Sequence, residues 1–128
     1  MLGLFGRKPK SKKPDSIHDK KSRLRRHVKR KEYDLALKCG LELLREVPSE
    51  NDVLFIVGSI YHVQGRHKEA IHYLARALDI ATYDSEALIL KARSHLALNQ
   101  MKEAKACCHK VLEVDPKNSE AARIIAES

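Results

Sequence analysis

The chain has 128 residues, 43% of them hydrophobic, and a formal net charge of +8 at pH 7. This length allows one compact domain or a short array of repeats, and it excludes a second independent core. No apolar run approaches the roughly 18 residues of a membrane-spanning helix, so we expect no segment that crosses a bilayer.

The positive charge is concentrated at the N-terminus. Residues 1–31 contain thirteen Lys or Arg and two Asp, whereas residues 32–128 contain twelve basic and fifteen acidic residues. The first sixteen residues include two prolines and little that a core would bury, which predicts a flexible basic arm over residues 1–16. The cationic residues of this arm are Arg7, Lys8, Lys10, Lys12 and Lys13.

Three roles are open for this basic region. It is either a disordered tail that keeps the chain soluble, or an electrostatic attachment to an anionic membrane, with Leu2, Leu4 and Phe5 inserted shallowly. The third role is a weak contact with nucleic acid through residues 1–31. Because no aromatic residues are interleaved for base stacking, that contact should be non-specific and salt-sensitive.

The cysteines indicate a reducing environment. Cys39, Cys107 and Cys108 are odd in number, and no two of them have the two-to-four-residue gap of metal ligands. The opening "MLGLFG" is too short for the apolar part of a secretory signal. We therefore expect small buried thiols in a cytoplasmic protein, peripheral to the membrane if the arm attaches it.

An internal period follows the arm. Two sets of apolar residues recur at an interval of thirty-four residues: Ala36, Ala70 and Ala104, and Leu44, Leu78 and Leu112. Gly65 is predicted to end a helix in the left-handed conformation, and Asn99, the next-best residue there, follows one period later. Lys31 lies one period before Gly65.

Hydrophobic spacing divides each period into two helices. Apolar residues recur three, four and seven apart over residues 51–64 and 67–81, and the pattern returns over residues 85–98 and 101–113. Turn residues separate these segments, and Asp, Ser and Asn are placed to cap the helices that follow. Each period is therefore predicted to be a helix-turn-helix unit.

This unit resembles the tetratricopeptide repeat, which has about 34 residues. The middle repeat carries the family's small and large residues most completely, at Leu54, Val57, Gly58, Tyr61, Ala70, Leu74 and Ala77. The resemblance implies an all-α fold, a short right-handed α-solenoid of about three repeats. We assign the repeats to residues 17–50, 51–84 and 85–118, followed by a C-terminal capping helix over residues 119–128.

The first repeat departs most from the family pattern. Lys20, Arg23 and Leu24 occupy positions where the family prefers a bulky, an aliphatic and a small residue. We nevertheless expect a helix there, held mainly by Ile17, Leu24 and Val28.

The histidines do not form a recognisable metal or catalytic motif. His62, His67 and His72 are five residues apart, which places consecutive ones about 140° apart on a helix. We expect half-exposed helical side chains, with no metal and no cofactor.

In tetratricopeptide repeats the first helices line a concave groove. The resemblance implies that the same positions line a groove in this chain. They are occupied by Asp52, Phe55, Ser59, His62, Glu86, Ile89 and Arg93. Phe55 and Ile89 are apolar and lie outside the expected packing stripe, so they are either incidentally exposed or part of a binding patch.

Some members of the family hold the C-terminal carboxylate of heat-shock chaperones. They use Lys and Asn in the first repeat, Asn in the second, and Lys and Arg in the third. The matching positions here are Lys21, Arg25, Ile56, Glu86 and Leu90. Only Lys21 agrees, which disfavours a clamp of that type.

Together these features predict a non-enzymatic scaffold that binds a peptide or helix of a partner protein in the groove. The alternative is a peripheral membrane or nucleic-acid binder in which the basic arm supplies the affinity. Homo-oligomerisation through an exposed end of the repeats is left open.

Overall fold

A computed structural model describes residues 14–127, which form seven helices and no strand. The helices are α1 (Ile17–Lys29), α2 (Tyr33–Glu46), α3 (Asn51–Val63), α4 (His67–Ile80), α5 (Ser85–Ala97), α6 (Met101–Val114) and α7 (Ser119–Ala126). None of the helices in this part of the chain combines the length and the apolar character that a bilayer crossing requires. The predicted all-α fold is confirmed.

The helices follow the thirty-four-residue period. Helices α1, α3, α5 and α7 begin at residues 17, 51, 85 and 119, and α2, α4 and α6 begin at residues 33, 67 and 101. Each helix packs on the next one in the chain, and α3 also contacts α5. The buried residues form one hydrophobic cluster that runs from Leu24 in α1 to Ile124 in α7. This arrangement is an α-solenoid of stacked helix pairs.

The turn inside each pair uses a left-handed residue at one equivalent position. Gly65 has φ 77°, and Lys31 and Asn99 both have φ 59°. The prediction for Gly65 and Asn99 is therefore correct, and Lys31 adopts the same conformation despite its Cβ. The geometry of the turn is thus imposed by the packing of the pair and not by the residue type.

Each of these turns is closed by a pair of contacting side chains. His27 Nδ1 donates to Glu32 Oε1 at 2.7 Å, Arg66 lies 4.6 Å from the centroid of the Tyr61 ring, and His95 Nδ1 donates to Gln100 Oε1 at 2.7 Å. In all three turns the backbone N–H of the later residue donates to the carbonyl of the earlier one. A shared backbone turn therefore carries three different side-chain interactions.

Helix α1 forms although its sequence departs from the family pattern. Ser16 and Asp19 form a reciprocal capping box at its N-terminus, in which each side chain accepts from the backbone N–H of the other residue. Leu24 is fully buried, and Ile17 and Val28 pack against the core from half-buried positions. The prediction that these three residues hold the helix is confirmed.

Two helical glycines lie where the packing leaves no room for a side chain. A Cβ on Gly58 in α3 would lie only 2.8 Å from Leu74 Cγ in the same pair, so these two positions share one space. A Cβ on Gly40 in α2 would lie 2.6 Å from Val57 Cγ2 in the next pair, and at an ordinary contact distance of 3.7 Å from Leu24 Cδ1. Gly58 is therefore required by packing within its pair, and Gly40 by the packing of one pair on the next.

A first test concerns the turn residues. We expect Gly65→Ala to lower the free energy of unfolding by about 1–2 kcal/mol, because alanine is strained at positive φ. A Cβ on Gly65 would meet no atom within 4 Å, so the loss would be purely conformational. Lys31→Gly should change stability in the opposite direction, by up to about 1 kcal/mol. Urea denaturation measures both, and a neutral Gly65→Ala would contradict the explanation.

A second test concerns the shared space. Gly58→Ala should cost about 1–3 kcal/mol through overpacking, although alanine is the better helix former. Adding Leu74→Cys should recover part of that loss, since it reproduces the fully buried combination of Ala92 and Cys108 one period later. A double-mutant cycle measured by chemical denaturation gives the coupling energy. Strictly additive effects would show that the two positions do not share space.

Candidate functional site

The first helices of the pairs lie side by side. Ion pairs join α1 to α3 and α5 to α7, and a hydrogen bond joins α3 to α5. We call the surface formed by α1, α3, α5 and the start of α7 the groove face. Every residue predicted to line the groove belongs to α3 or α5.

A cavity of about 450 Å³ opens on the groove face. Its lining includes four of the predicted groove residues, Phe55, Glu86, Ile89 and Arg93, together with Glu120 from α7. The volume is within the range of roughly 300–1,000 Å³ that is usual for ligand pockets. The structure therefore brings together predicted residues that are up to 38 positions apart in the sequence.

The apolar residues of this cavity are packed more deeply than their positions in the sequence suggested. Phe55 is half-buried and packs against the core, but Ile89 is only 8% exposed. The expectation that Ile89 lies outside the packing stripe is wrong. Helix α5 is packed against α4 and α6 and also contacts α3, so it buries more than one stripe of side chains.

Between α1 and α3 the charges of the groove face neutralise one another. Lys21 Nζ lies 2.7 Å from Glu50 Oε2 and 2.8 Å from Asp52 Oδ2, and Arg25 Nη2 lies 2.9 Å from the same Asp52 oxygen. Burial alone would raise the pKa of Asp52, but the hydrogen bond and charge of Lys21 outweigh it and hold that pKa below its usual value. Asp52 is thus ionised and fully engaged by cations.

Between α5 and α7 a second ion pair has bidentate geometry. Arg93 donates from Nε and Nη2 to the two carboxylate oxygens of Glu120, each at 2.6 Å. The hydrogen bond from Arg93 lowers the pKa of Glu120. This pair fixes the start of α7 against α5.

In the middle of the groove face the contacts are uncharged. Ser59 Oγ donates to the Phe55 carbonyl at 2.8 Å, and His62 Nδ1 is hydrogen-bonded to Ser94 Oγ at 2.9 Å. Burial lowers the pKa of His62, and the charges of His67 and Arg93 lower it further. His62 is half-buried, and its imidazole ties α3 to α5.

Three residues that make these contacts were not singled out from the sequence. They are Glu50, Ser94 and Glu120. Glu120 was detectable, since it lies two periods after Asp52 and therefore occupies the same position of the repeat. Glu50 and Ser94 gave no such signal, because neither is at a position that the family pattern associates with the groove.

The cysteines and histidines do not form a reactive centre among residues 14–127. Cys107 and Cys108 are buried, as expected for small apolar side chains, and Cys39 is half-buried. Burial raises the pKa of both buried thiols, to about 11 for Cys108, so these thiols are protonated near neutral pH. Within the same range no three His, Cys, Asp or Glu residues converge as metal ligands would.

The predicted basic arm is only partly within the described residues. Arg7, Lys8, Lys10, Lys12 and Lys13 lie outside residues 14–127. Their attachment to a membrane or to nucleic acid therefore stays a prediction.

Comparison with known protein families identifies the chain. A tetratricopeptide repeat model matches residues 63–127, and a second tetratricopeptide repeat model matches residues 23–85. The chain therefore belongs to the tetratricopeptide repeat family. A search of curated protein sequences found no match.

Solved structures share the fold. The first tetratricopeptide repeat domain of Spaghetti (RPAP3), bound to the HSP90 peptide SRMEEVD, aligns with a TM-score of 0.79 at 22% identity, over 87% of this chain and 88% of that one. The second such domain of human RPAP3, in complex with the HSP70 peptide SGPTIEEVD, gives 0.78 at 19% identity, over 88% and 97%. MamA gives 0.82 at 15% identity, over 88% of this chain and 61% of MamA.

A third test concerns the pair of Arg93 and Glu120. Near pH 7, Glu120→Gln should lower the free energy of unfolding by about 0.5–1 kcal/mol, because the pair is only partly exposed. The folded-state pKa of Glu120 is lowered, so this contribution is present above its ordinary pKa of 4.5 and is lost as pH falls through the folded-state value.

Glu86→Gln is the matched control, since Glu86 occupies the same position of its helix one period earlier and has no ion pair within residues 14–127. Thermal unfolding between pH 3 and pH 7 should show the pH-dependent loss for Glu120→Gln only. Equal losses for the two variants would contradict a specific contribution from the pair.

Proposed function

We propose that this chain is a non-enzymatic protein-interaction module that binds a peptide segment of another protein on its groove face. The observation that carries the proposal is the cavity in which Phe55, Glu86, Ile89 and Arg93 meet. A cavity with an apolar floor and a few polar groups is the usual form of a recognition site. Family membership supports the proposal, because stacked repeats form extended binding surfaces.

Two of the structural neighbours were solved with peptides. The Spaghetti domain is bound to an HSP90 peptide, and the human RPAP3 domain is in complex with an HSP70 peptide. Each covers nearly the whole repeat region of this chain at a TM-score near 0.8. A fold of this size therefore accommodates a peptide, which supports the same role here.

The groove residues divide into two roles under this proposal. Asp52 and Arg93 are engaged by charged neighbours within the chain, so they hold the first helices together and do not orient the ligand. Phe55 supplies the accessible apolar surface, with Ile89 as the packed floor beneath the ligand. Glu86 is exposed and provides the polar contact.

A fourth test is affinity capture with the full chain carrying Phe55→Ala. Loss of a central aromatic anchor costs about 2 kcal/mol or more, so specific partners should be recovered at least about tenfold less than with wild type. Leu35→Ala is the matched control, because Leu35 is a 51% exposed apolar residue on α2, outside the groove face. Quantitative mass spectrometry compares the recovered proteins. Identical partners and recoveries for Phe55→Ala and wild type would refute the groove.

A further inference from the structure

The ion pairs between first helices follow one positional rule. Arg25 pairs with Asp52 at 2.9 Å, and Arg93 pairs with Glu120 at 2.6 Å. In each pair the acid comes 27 residues after the arginine, and the second pair lies two periods after the first. The repeat therefore places an arginine of one first helix opposite the first-turn acid of the next first helix.

The middle of the groove face breaks this rule. One period after Arg25 the chain has Ser59, while the corresponding acid, Glu86, is retained. Ser59 Oγ donates to the carbonyl of Phe55 in its own helix. Over residues 14–127, Glu86 consequently has no cationic partner, although it is exposed on the wall of the cavity.

The rest of the cavity does not supply the missing positive charge. Its one arginine, Arg93, already donates two hydrogen bonds to Glu120. Asp115 adds a further carboxylate to the lining. Phe55 and Ile89 form the apolar part beside Glu86. A ligand that matches this surface must bring both a cation and an apolar side chain.

The charges of the groove face are unfavourable for an acidic peptide. Lys21, the one residue that agrees with the carboxylate-clamp pattern, is held by Glu50 and Asp52. A carboxylate ligand would have to displace those two anions, and at the cavity it would face Glu86 and Asp115. The charge pattern therefore disfavours acidic C-terminal tails.

We propose that the groove face selects a peptide segment in which a Lys or Arg lies next to a large apolar side chain. The cation would pair with Glu86, taking the place that arginine occupies in the other two pairs, and the apolar side chain would pack on Phe55. This inference rests on the proposed function, since it names the chemistry of the partner for the same groove.

The first experiment restores the missing arginine. In Ser59→Arg the new guanidinium should pair with Glu86 as Arg25 does with Asp52, and it should raise Tm by about 1–4 °C at low salt. Ser59→Gln, which lengthens the side chain without adding charge, is the control and should give no comparable rise. High salt should remove the difference between the two variants. If Ser59→Arg is no more stable than Ser59→Gln, residue 59 does not face Glu86 and the inference fails.

The second experiment identifies the ligand chemistry with the full chain. A phage library of random dodecapeptides is selected on wild type, and we expect enrichment of Lys or Arg beside Phe, Leu, Ile or Met. The most enriched peptide, made synthetically, should bind Ser59→Arg at least about tenfold more weakly than wild type and more weakly than the uncharged Ser59→Gln. Leu35→Ala, outside the groove face, should bind it within about twofold of wild type. Enrichment of acidic peptides, or equal binding by Ser59→Arg and wild type, would overturn the inference.

A second copy of the chain is the other occupant to be tested. Sedimentation velocity of wild type and Ser59→Arg should give the same monomeric species if the groove face serves a foreign peptide. A wild-type dimer that Ser59→Arg dissociates would assign the surface to self-association and overturn the inference.

Different results would contradict the peptide-binding groove and its charge selectivity. If enriched peptides are lost with Phe55→Ala but carry no basic residue, the groove binds peptides and only the charge selectivity is wrong. If enriched peptides bind Phe55→Ala as tightly as wild type, the groove itself is refuted.

Discussion

Burial of each helix pair against the next pair is the interaction on which this structure depends. A single amphipathic pair cannot cover its own apolar face, so the stack creates one continuous core from units that have none separately. The core extends from Leu24 to Ile124, and α7 continues it at the C-terminal end. Because contacts join neighbours only, each interface has to hold independently of the distant ones.

The polar contacts on the groove face reinforce those same interfaces. Between α1 and α3, a lysine and an arginine pair with acidic residues. Between α3 and α5, His62 is hydrogen-bonded to Ser94, and between α5 and α7, Arg93 pairs with Glu120. At both ends of the groove face the charged side chains are therefore paired with one another, whereas the carboxylate at its centre has no cationic partner within residues 14–127. Apolar surface lies at the same place, which makes the centre of the face chemically distinct from its surroundings.

Much of the fold was predictable because the period appears directly in the residue spacing. Gly65 and Asn99 marked two of the turns, and the apolar stripes marked the helices. The burial of Ile89 was not predictable, because the position of α5 between several helices depends on the stacking and not on its own pattern. The roles of Asp52 and Arg93 were also hidden, since spacing places a charge on a face without showing which opposite charge will meet it.

The two crowded glycines have an evolutionary consequence. A Cβ on Gly58 would clash with Leu74 inside the same helix pair, whereas a Cβ on Gly40 would clash with Val57 in the next pair. The size of a residue is therefore tied to a partner within a pair at one position and across the boundary between pairs at the other. Duplication or recombination of a thirty-four-residue unit is accordingly accepted only when the residues facing it in the neighbouring unit match, and substitutions at these positions are expected to be accepted together.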